Sequence, residues 1–373
     1  MTPTISEPST RPARIRGKLL FTFAVIADTH VNEDERISTS PFPSTALTNA
    51  RARYAFAAVN ASRPAFVVHL GDLVNPVPAQ LTYAAAAERF LELSRAIACP
   101  LHLVPGNHDV GDKPMAWGPA PVVSDASLAL WERYFGRNFY AFEHGGVRFV
   151  IVDAQIINTG LAGEQSQSAW LGGELARDLD TRTFLFLHYP PYLHDRDEDE
   201  HYDNIAEPGR SWLLDLIGRS GPEAQFAGHV HNFWYNRFAA TDCYVVPSVG
   251  FVCSDFAELF RVEPADEFGR NDAAKLGFFL IDVYERGHAF RLVRTWGRTA
   301  DPGAPPVAVL VPAARPGRRA RPSVGVELRQ SWADATEITA SGHPDEFGRK
   351  RARNDYTLLA LQEMGIAKLR IPF

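Results

Sequence analysis

Seven side chains of the metal-ligand type follow short apolar segments of the sequence. They are Asp28, His30, Asp72, Asn107, His188, His229 and His231. Oxygen and nitrogen donors suit hard to borderline divalent ions, and the absence of thiolates argues against a structural zinc site. Seven donors are too many for one tetrahedral ion. They suit two ions roughly 3.5–4 Å apart that share a bridging carboxylate, an arrangement that activates water and clamps a phosphoryl group.

The spacing within two motifs predicts that paired ligands face one centre. Residues i and i+2 of an extended segment point to the same side, so Asp28 with His30, and His229 with His231, can each present two donors. The residue between the members of each pair then faces away. Three glycines directly precede ligands: Gly71, Gly106 and Gly228. A glycine lets the chain turn off a strand and approach the metals without a clashing Cβ.

Almost every candidate stands where a predicted strand ends. Apolar runs that break into polar residues cover 19–27, 65–70, 101–105, 148–152 and 183–187. Helical stretches at 46–62 and 81–98 separate some of these runs, and this alternation indicates an α/β layered fold. In open α/β sheets, ligands bind beyond the carboxyl ends of the strands. His69 and His102 lie inside strands and are therefore interpreted as core residues, and Asp153, which belongs to no ligand motif, is interpreted as structural.

Five motifs occur in order between residues 28 and 231. They are Asp28-x-His30, Gly71-Asp72, Gly106-Asn107-His108-Asp109, His188 and Gly228-His229-Val230-His231. In this combination they resemble the calcineurin-like metallophosphoesterase superfamily. Residues 71–75, 104–109 and 140–147 are most similar to the class III cyclic-nucleotide and glycerophosphodiester phosphodiesterases. The resemblance implies a four-layered α/β/β/α sandwich with a dinuclear metal site at its edge.

The resemblance also implies a role for each ligand. Asp28, His30 and His231 would hold the first ion, Asn107, His188 and His229 the second, and Asp72 would bridge the two. The expected cofactors are two divalent ions per chain, Mn²⁺, Fe²⁺ or Zn²⁺. His108 would face the substrate as a catalytic residue, steadying phosphoryl charge or protonating the leaving oxygen. Asp109 would orient His108 or anchor the loop.

Three further residues are candidates for substrate contact. Asn75 follows the bridging aspartate, where lining the cavity and forming a turn before Pro76 are both open readings. His194 and His201 lie in the acidic, tyrosine-rich segment 189–204, which reads as a loop beside the site.

The predicted reaction is in-line attack of a metal-bound hydroxide on a small phosphodiester of the cyclic-nucleotide or glycerophosphodiester type. The alternatives are a phosphomonoesterase or a pyrophosphate-bond hydrolase on the same metal core. An inactive binding protein would be expected to have lost ligands or His108, and all eight residues are present. One sequence does not determine which ester is cleaved.

Composition excludes several other classes of protein. The chain has 373 residues, of which 46% are hydrophobic and 22% charged, as in ordinary soluble globular proteins. A net charge of −6 disfavours a nucleic-acid partner. Three cysteines without CxxC spacing indicate a reducing compartment. The early apolar run 19–27 is too short to cross a bilayer and lacks a cleavage pattern, so we expect no membrane anchor and a cytoplasmic location.

The chain divides into four predicted parts. Residues 1–17 form a flexible arm, 18–300 the metallophosphoesterase domain, 301–322 a linker rich in proline and arginine, and 323–373 a C-terminal extension. Within the extension we expect a strand at 325–328 and a helix at 355–364. The extension would dock on the main domain, exchange with another subunit of a homo-oligomer, or begin a domain that this chain does not complete.

Overall fold

The computed structural model describes residues 15–38, 40–115, 118–253, 266–304, 311–312, 325–327, 336–337, 351–366 and 369–370. The strands of its main sheets are β1 (Arg16–Ile26), β2 (Val67–His69), β3 (Leu101–Leu103), β4 (Tyr140–His144), β5 (Val147–Ile151), β6 (Thr183–Phe186), β7 (Ala224–Ala227), β8 (Trp234–Phe238), β9 (Thr241–Val245), β10 (Gly277–Arg286) and β11 (His288–Arg294). The helices are α1 (Thr48–Ser62), α2 (Tyr83–Ser94), α3 (Asn107–Val110), α4 (Asp125–Phe135), α5 (Ala162–Ala176), α6 (Gly209–Ser220) and α7 (Tyr356–Glu363). Short 3₁₀ turns occur at Pro43–Leu47, Asp266–Gly269 and Ala273–Lys275. None of the helices among these described residues is long and apolar enough to cross a membrane.

Two sheets carry the fold. The first has the strand order β11-β10-β1-β2-β3, and the second has the order β4-β5-β6-β7-β9-β8. The neighbours β1, β2 and β3 are parallel, as are β5, β6, β7 and β9. The carboxyl ends of the parallel strands in each sheet therefore lie at one edge. The five strands expected from the apolar runs are all present.

Alternation along β1 shows why the sheets stack in layers. Phe23 and Val25 face the second sheet, in a core that includes Phe149, which lies 5.4 Å from Phe23 between ring centroids. Ala24 and Ile26 face the opposite way, into a core with residues of α1 and α2. The outer face of the second sheet packs on α5 and α6. The order of layers is therefore α/β/β/α, which confirms the predicted sandwich.

The start of the chain differs slightly from its prediction. β1 begins at Arg16, so the last two residues assigned to the arm already belong to a strand of the sheet. Residues 1–14 of the predicted arm lie outside the described residues.

The described part of the C-terminal extension docks on the main domain. Helix α7 confirms the predicted helix to within one residue at each end. Tyr356 and Leu359 enter the core between the two sheets, and the Trp234 indole of β8 donates to the Arg353 carbonyl oxygen at 2.7 Å. Short strands β12 (Val326–Glu327) and β15 (Leu369–Arg370) pair with each other, as do β13 (Thr336–Glu337) and β14 (Arg351–Ala352). Most of the predicted linker lies outside the described residues.

Candidate metal centre

The candidate ligands follow β1, β2 and β3 of the first sheet and β6 and β7 of the second. Five of them have a left-handed backbone: Asp28 (φ 56°), His30 (φ 45°), Asp72 (φ 52°), His229 (φ 69°) and His231 (φ 51°). The prediction that each pair lies on an extended segment is therefore wrong. Left-handed residues reverse the chain within one step, so both members of a pair turn toward the same centre. The intervening Thr29 and Val230 do face away into the protein.

Two glycines permit a close crossing of the ligand loops. Gly71 has a φ of 98°, and a Cβ there would lie 2.7 Å from the Gly106 nitrogen. A Cβ on Gly106 would lie 2.1 Å from the Asp72 nitrogen. Both distances are shorter than atoms can tolerate, so glycine is required where the loops that carry Asp72 and Asn107 cross.

The first group of donors surrounds the Nε2 atoms of two histidines. His30 Nε2 lies 3.0 Å from His231 Nε2 and 3.4 Å from Asp72 Oδ2. His231 Nε2 lies 3.6 Å from Asp28 Oδ1. The ligand atoms of these four buried residues all lie within 4.8 Å of one another, which is the spacing needed around one ion.

The second group lies on the other side of Asp72. His188 Nε2 is 3.3 Å from Asp72 Oδ1 and 2.9 Å from Asn107 Oδ1, and His229 Nδ1 is 3.0 Å from the same amide oxygen. Asp72 therefore presents Oδ2 to the first group and Oδ1 to the second. The structure brings all seven predicted ligands together in the two sets that the resemblance implied.

Backbone carbonyls aim two of the histidines. His188 Nδ1 donates to the Leu70 carbonyl oxygen at 2.7 Å, and His231 Nδ1 donates to the Phe251 carbonyl oxygen at 2.8 Å. Each bond fixes the tautomer that leaves Nε2 free as a metal ligand.

Three residues that the sequence did not indicate aim the second group. The Asn107 amide nitrogen donates to Asp112 Oδ1 and to the Tyr202 hydroxyl, both at 3.0 Å, which turns Oδ1 toward the histidines. Asp203 Oδ1 lies 3.4 Å from His229 Nε2. The other ring nitrogen, Nδ1, therefore faces the ligand group. The segment 189–204 was singled out for its histidines, but it acts on the site through Tyr202 and Asp203.

The buried ionisable side chains of the cluster favour the binding of cations. Burial raises the pKa of Asp28 well above its usual range, and burial lowers the pKa of His30 and of His229. Among the described residues, Asp28 Oδ2 is buried without a hydrogen-bond partner. Buried carboxylates and imidazoles are costly unless an opposite charge offsets their desolvation. Oxygen and nitrogen donors without a thiolate in either group suit borderline divalent ions.

Comparison with known proteins assigns the family. The family model described as calcineurin-like phosphoesterase matches residues 21–233, more than half of the chain. The chain belongs to the calcineurin-like phosphoesterase family. This membership confirms the predicted superfamily and supports the predicted enzyme class, a metal-dependent phosphoric ester hydrolase.

Two curated relatives of this chain carry different names. The human serine/threonine-protein phosphatase CPPED1 is 29% identical over 197 residues, which are 50% of this chain and 60% of that protein. The probable glycerophosphodiester phosphodiesterase GpdQ of Arcobacter nitrofigilis is 24% identical over 172 residues, 45% of this chain and 57% of that protein. The chain thus spans about three fifths of the length of these relatives.

A solved structure shares the fold of this chain. It is a dimetal phosphatase from Danio rerio, with a TM-score of 0.51 and 14% identity. The match covers 74% of this chain and 96% of that one. At this identity the likeness concerns the fold alone, and it agrees with the four layers described above.

His108 lies beside the candidate ligands without joining either group. Its backbone nitrogen donates to Asp72 Oδ1 at 2.9 Å, and its ring meets the ring of His30 edge-on at 4.6 Å. The Asn75 carbonyl oxygen accepts from His108 Nδ1 at 2.5 Å, which leaves Nε2 for another partner. Asn75 therefore reaches the site, and its carbonyl orients His108.

Asp109 connects the loops that carry Asp72 and Asn107. Its buried carboxylate accepts from the backbone nitrogens of Gly106 at 2.8 Å, Leu73 at 3.0 Å and Val74 at 3.3 Å. Of the two roles considered for Asp109, these bonds correspond to anchoring the loop.

His194 and His201 are not placed as substrate-contacting residues. His194 Nδ1 lies 2.7 Å from Glu198 Oε2, and His201 Nε2 lies 3.1 Å from Glu198 Oε1. Neither residue is among the described residues that line the cavity at the ligands. Substrate contact by His194 and His201 stays a prediction, and in the structure both imidazoles pair with the Glu198 carboxylate.

A cavity of about 350 Å³ opens over the candidate ligands. Its described walls include His30, Asp72, Asn75, Asn107, His108, Tyr202, Asp203, His229, His231, Phe42, Phe251 and Arg270. A larger groove of about 830 Å³ between α4, β4 and α5 contains none of the seven ligands. The smaller cavity therefore marks the candidate active site.

Proposed function

We propose that this chain hydrolyses phosphoric esters of small molecules at two divalent metal ions. The observation that carries the proposal is the convergence of seven buried donors into two groups that share Asp72. The names of the relatives, a phosphatase and a probable phosphodiesterase, support the same class of reaction. A cavity of about 350 Å³ suits a small ester.

The seven donors would hold the ions in the sets described above, and their chemistry favours Mn²⁺, Fe²⁺ or Zn²⁺. Two such ions, when bound, would activate water and neutralise charge on the phosphoryl group. Asp72 holds the two halves of the site together, and its bond from the His108 nitrogen fixes the carboxylate between them.

His108 is the proposed general acid. Its ring lines the cavity, and the bond from Nδ1 to Asn75 leaves Nε2 to donate a proton to the leaving oxygen or to stabilise phosphoryl charge. Asn75 and Asp109 are positioning residues in this proposal, because the first holds the His108 ring and the second holds the loop that carries it.

The ester class has two candidates. Residues 71–75, 104–109 and 140–147 favour a small diester, and the likeness to GpdQ supports that candidate. The likeness to CPPED1 supports a phosphomonoesterase equally. Turnover of 4-nitrophenyl phosphate and bis(4-nitrophenyl) phosphate by Mn²⁺-loaded full-length chain compares the two. Faster cleavage of the monoester would overturn the diesterase candidate, and hydrolysis of neither ester would contradict the proposed function.

A cytoplasmic location belongs to the proposal and rests on cysteine usage. Cys99, Cys243 and Cys253 are free, which is the usual state of thiols in a reducing compartment. Fractionation of cells that express the chain, with the thiols labelled before lysis, tests this expectation.

A further inference from the structure

Arg270 occupies the wall of the same cavity in an unusual setting. The residue is only 5% exposed, and its guanidinium carbon lies 4.4 Å from the ring centroid of Phe42 and 4.0 Å from that of Phe251. Its Nη2 donates to Thr45 Oγ1 at 3.3 Å. Stacking on aromatic rings engages the faces of a guanidinium and leaves its in-plane N–H groups for an anion.

The charge of Arg270 is poorly compensated. Among the described residues, no carboxylate oxygen lies within 4.0 Å of the Arg270 guanidinium nitrogens. The buried Nε of Arg270 also has no hydrogen-bond partner among these residues. The carboxylate of neighbouring Glu267 instead accepts from the Ser44 nitrogen at 3.0 and 3.1 Å. Burial lowers the pKa of Arg270 to about 10, so the side chain remains a cation at neutral pH. Burying a cation that forms no ion pair with a described residue is costly, and a bound anion would reduce that cost.

Phe251 sets the position of Arg270 relative to the ligands. The Phe251 ring stacks against Arg270 and also contacts the rings of His30 at 4.7 Å and His231 at 4.6 Å. Arg270 therefore lines the cavity beside the first ligand group. The Phe251 ring contacts both its guanidinium and the two ligand imidazoles. A group bound on the Arg270 side of Phe251 would be separate from a phosphoryl group held by the ligand set.

We propose that Arg270 binds a second anionic group of the substrate, a carboxylate or a further phosphate, through its in-plane N–H groups. The inference rests on the proposed function, because it defines the substrate as a phosphoric ester that carries a second negative charge. Two oxygens of a carboxylate or a phosphate match the fork of an arginine, which makes the contact both strong and orienting.

Binding of non-hydrolysable probes tests this proposal separately from catalysis. Calorimetry on the Mn²⁺-loaded chain compares phenylphosphonate with its 3- and 4-carboxy derivatives. We expect the wild type to bind a carboxy derivative about tenfold or more tightly than phenylphosphonate, the range of a charged hydrogen bond. Arg270→Met should abolish this preference, so that the three probes bind with equal affinity. Arg270→Lys, which keeps the charge but loses the planar fork, should retain part of the preference.

Arg133→Met is the matched control, because Arg133 is exposed and its guanidinium carbon lies 5.5 Å from the Tyr134 ring centroid, outside the cavity. It should keep the wild-type preference. A wild type that binds the probes equally, or not at all, would overturn the proposal, as would an Arg270→Met variant with an unchanged preference or an equal loss for all probes. If the preference is present but no ester is hydrolysed, the Arg270 site stands and the proposed hydrolysis fails.

Discussion

Three ligands of the candidate centre are oriented by hydrogen bonds on the side away from the site. Asn107 is the clearest case, because both hydrogens of its amide nitrogen have oxygen partners, Asp112 Oδ1 and the Tyr202 hydroxyl. The amide oxygen is thereby fixed toward His188 and His229. Such outer partners commonly change metal affinity by about ten- to hundredfold when they are removed.

Tyr202→Phe removes one of these partners. We expect the weaker of the two Mn²⁺ binding steps to lose about ten- to hundredfold in affinity, because the Asn107 amide is then held by Asp112 alone. Titration of the metal-free chain followed by calorimetry measures both steps. Tyr235→Phe is the control, because its hydroxyl bonds to Asp242 outside the cavity. Unchanged affinities in Tyr202→Phe would contradict the orienting role.

Glu198 organises the loop that carries Tyr202 and Asp203. Its carboxylate accepts from the backbone nitrogens of Leu193 at 2.8 Å and His194 at 3.0 Å, and it pairs with the imidazoles of His194 and His201. Burial raises the pKa of Glu198, but the hydrogen bond and charge of His201 outweigh burial and lower the pKa to about 2.

This lowered pKa predicts a pH-dependent stability. The folded chain binds fewer protons than the unfolded chain between about pH 2 and pH 4.5, so the contribution of Glu198 is complete above that window and is lost as the pH falls through it. Glu198→Gln should lower the free energy of unfolding by about 2 kcal/mol near pH 7, and the difference should shrink toward pH 2. Urea unfolding across this range measures it.

Glu88→Gln, on the exposed side of α2, is the control and should show no such trend. A deficit in Glu198→Gln that stays constant with pH would contradict the ionic origin of the effect.

At the scale of elements, strand ends were predictable but the geometry of the ligand turns was not. Apolar runs and the polar residues after them indicated β1, β2, β3 and β6 with their ligands, because buried parallel strands have a simple pattern. The left-handed backbone at Asp28 and His30 was missed, since non-glycine residues seldom adopt it. Tyr202, Asp203 and Arg270 were missed because they reach the site only through tertiary packing of loops without a local pattern.

Helix α7 is an element whose docking can be tested. Tyr356 is 8% exposed, lies among core residues of both sheets, and donates its hydroxyl proton to the Lys275 carbonyl oxygen at 3.0 Å. Tyr356→Ala should lower the free energy of unfolding by about 3 kcal/mol, the usual cost of removing a large buried ring. Tyr356→Phe should lose only about 1 kcal/mol, because the ring remains. Urea denaturation that ranks the two variants equally would contradict the docking.

At the scale of the whole molecule, the centre joins the two sheets. Asp28, Asp72 and Asn107 follow strands of the first sheet, whereas His188 and His229 follow strands of the second. A metal held by both sets therefore binds the folded chain and has no equivalent site in the unfolded chain. Mn²⁺ at about one hundred times its dissociation constant should stabilise the fold by about 2.7 kcal/mol.

Thermal unfolding of metal-free and Mn²⁺-loaded chain checks this linkage. The melting temperature should rise with added Mn²⁺ and return to its metal-free value after chelation. Asp72→Asn, which weakens the carboxylate shared by both groups, should show a smaller rise. A melting temperature that does not respond to metal would contradict a site that spans the two sheets.

The number of Mn²⁺ ions bound per chain tests the central claim most directly. The full-length chain would be freed of metal, dialysed to equilibrium against Mn²⁺ and assayed for metal and protein content. Two groups of donors that share Asp72 predict about two ions per chain. One ion or fewer at saturating Mn²⁺ would contradict the dinuclear centre.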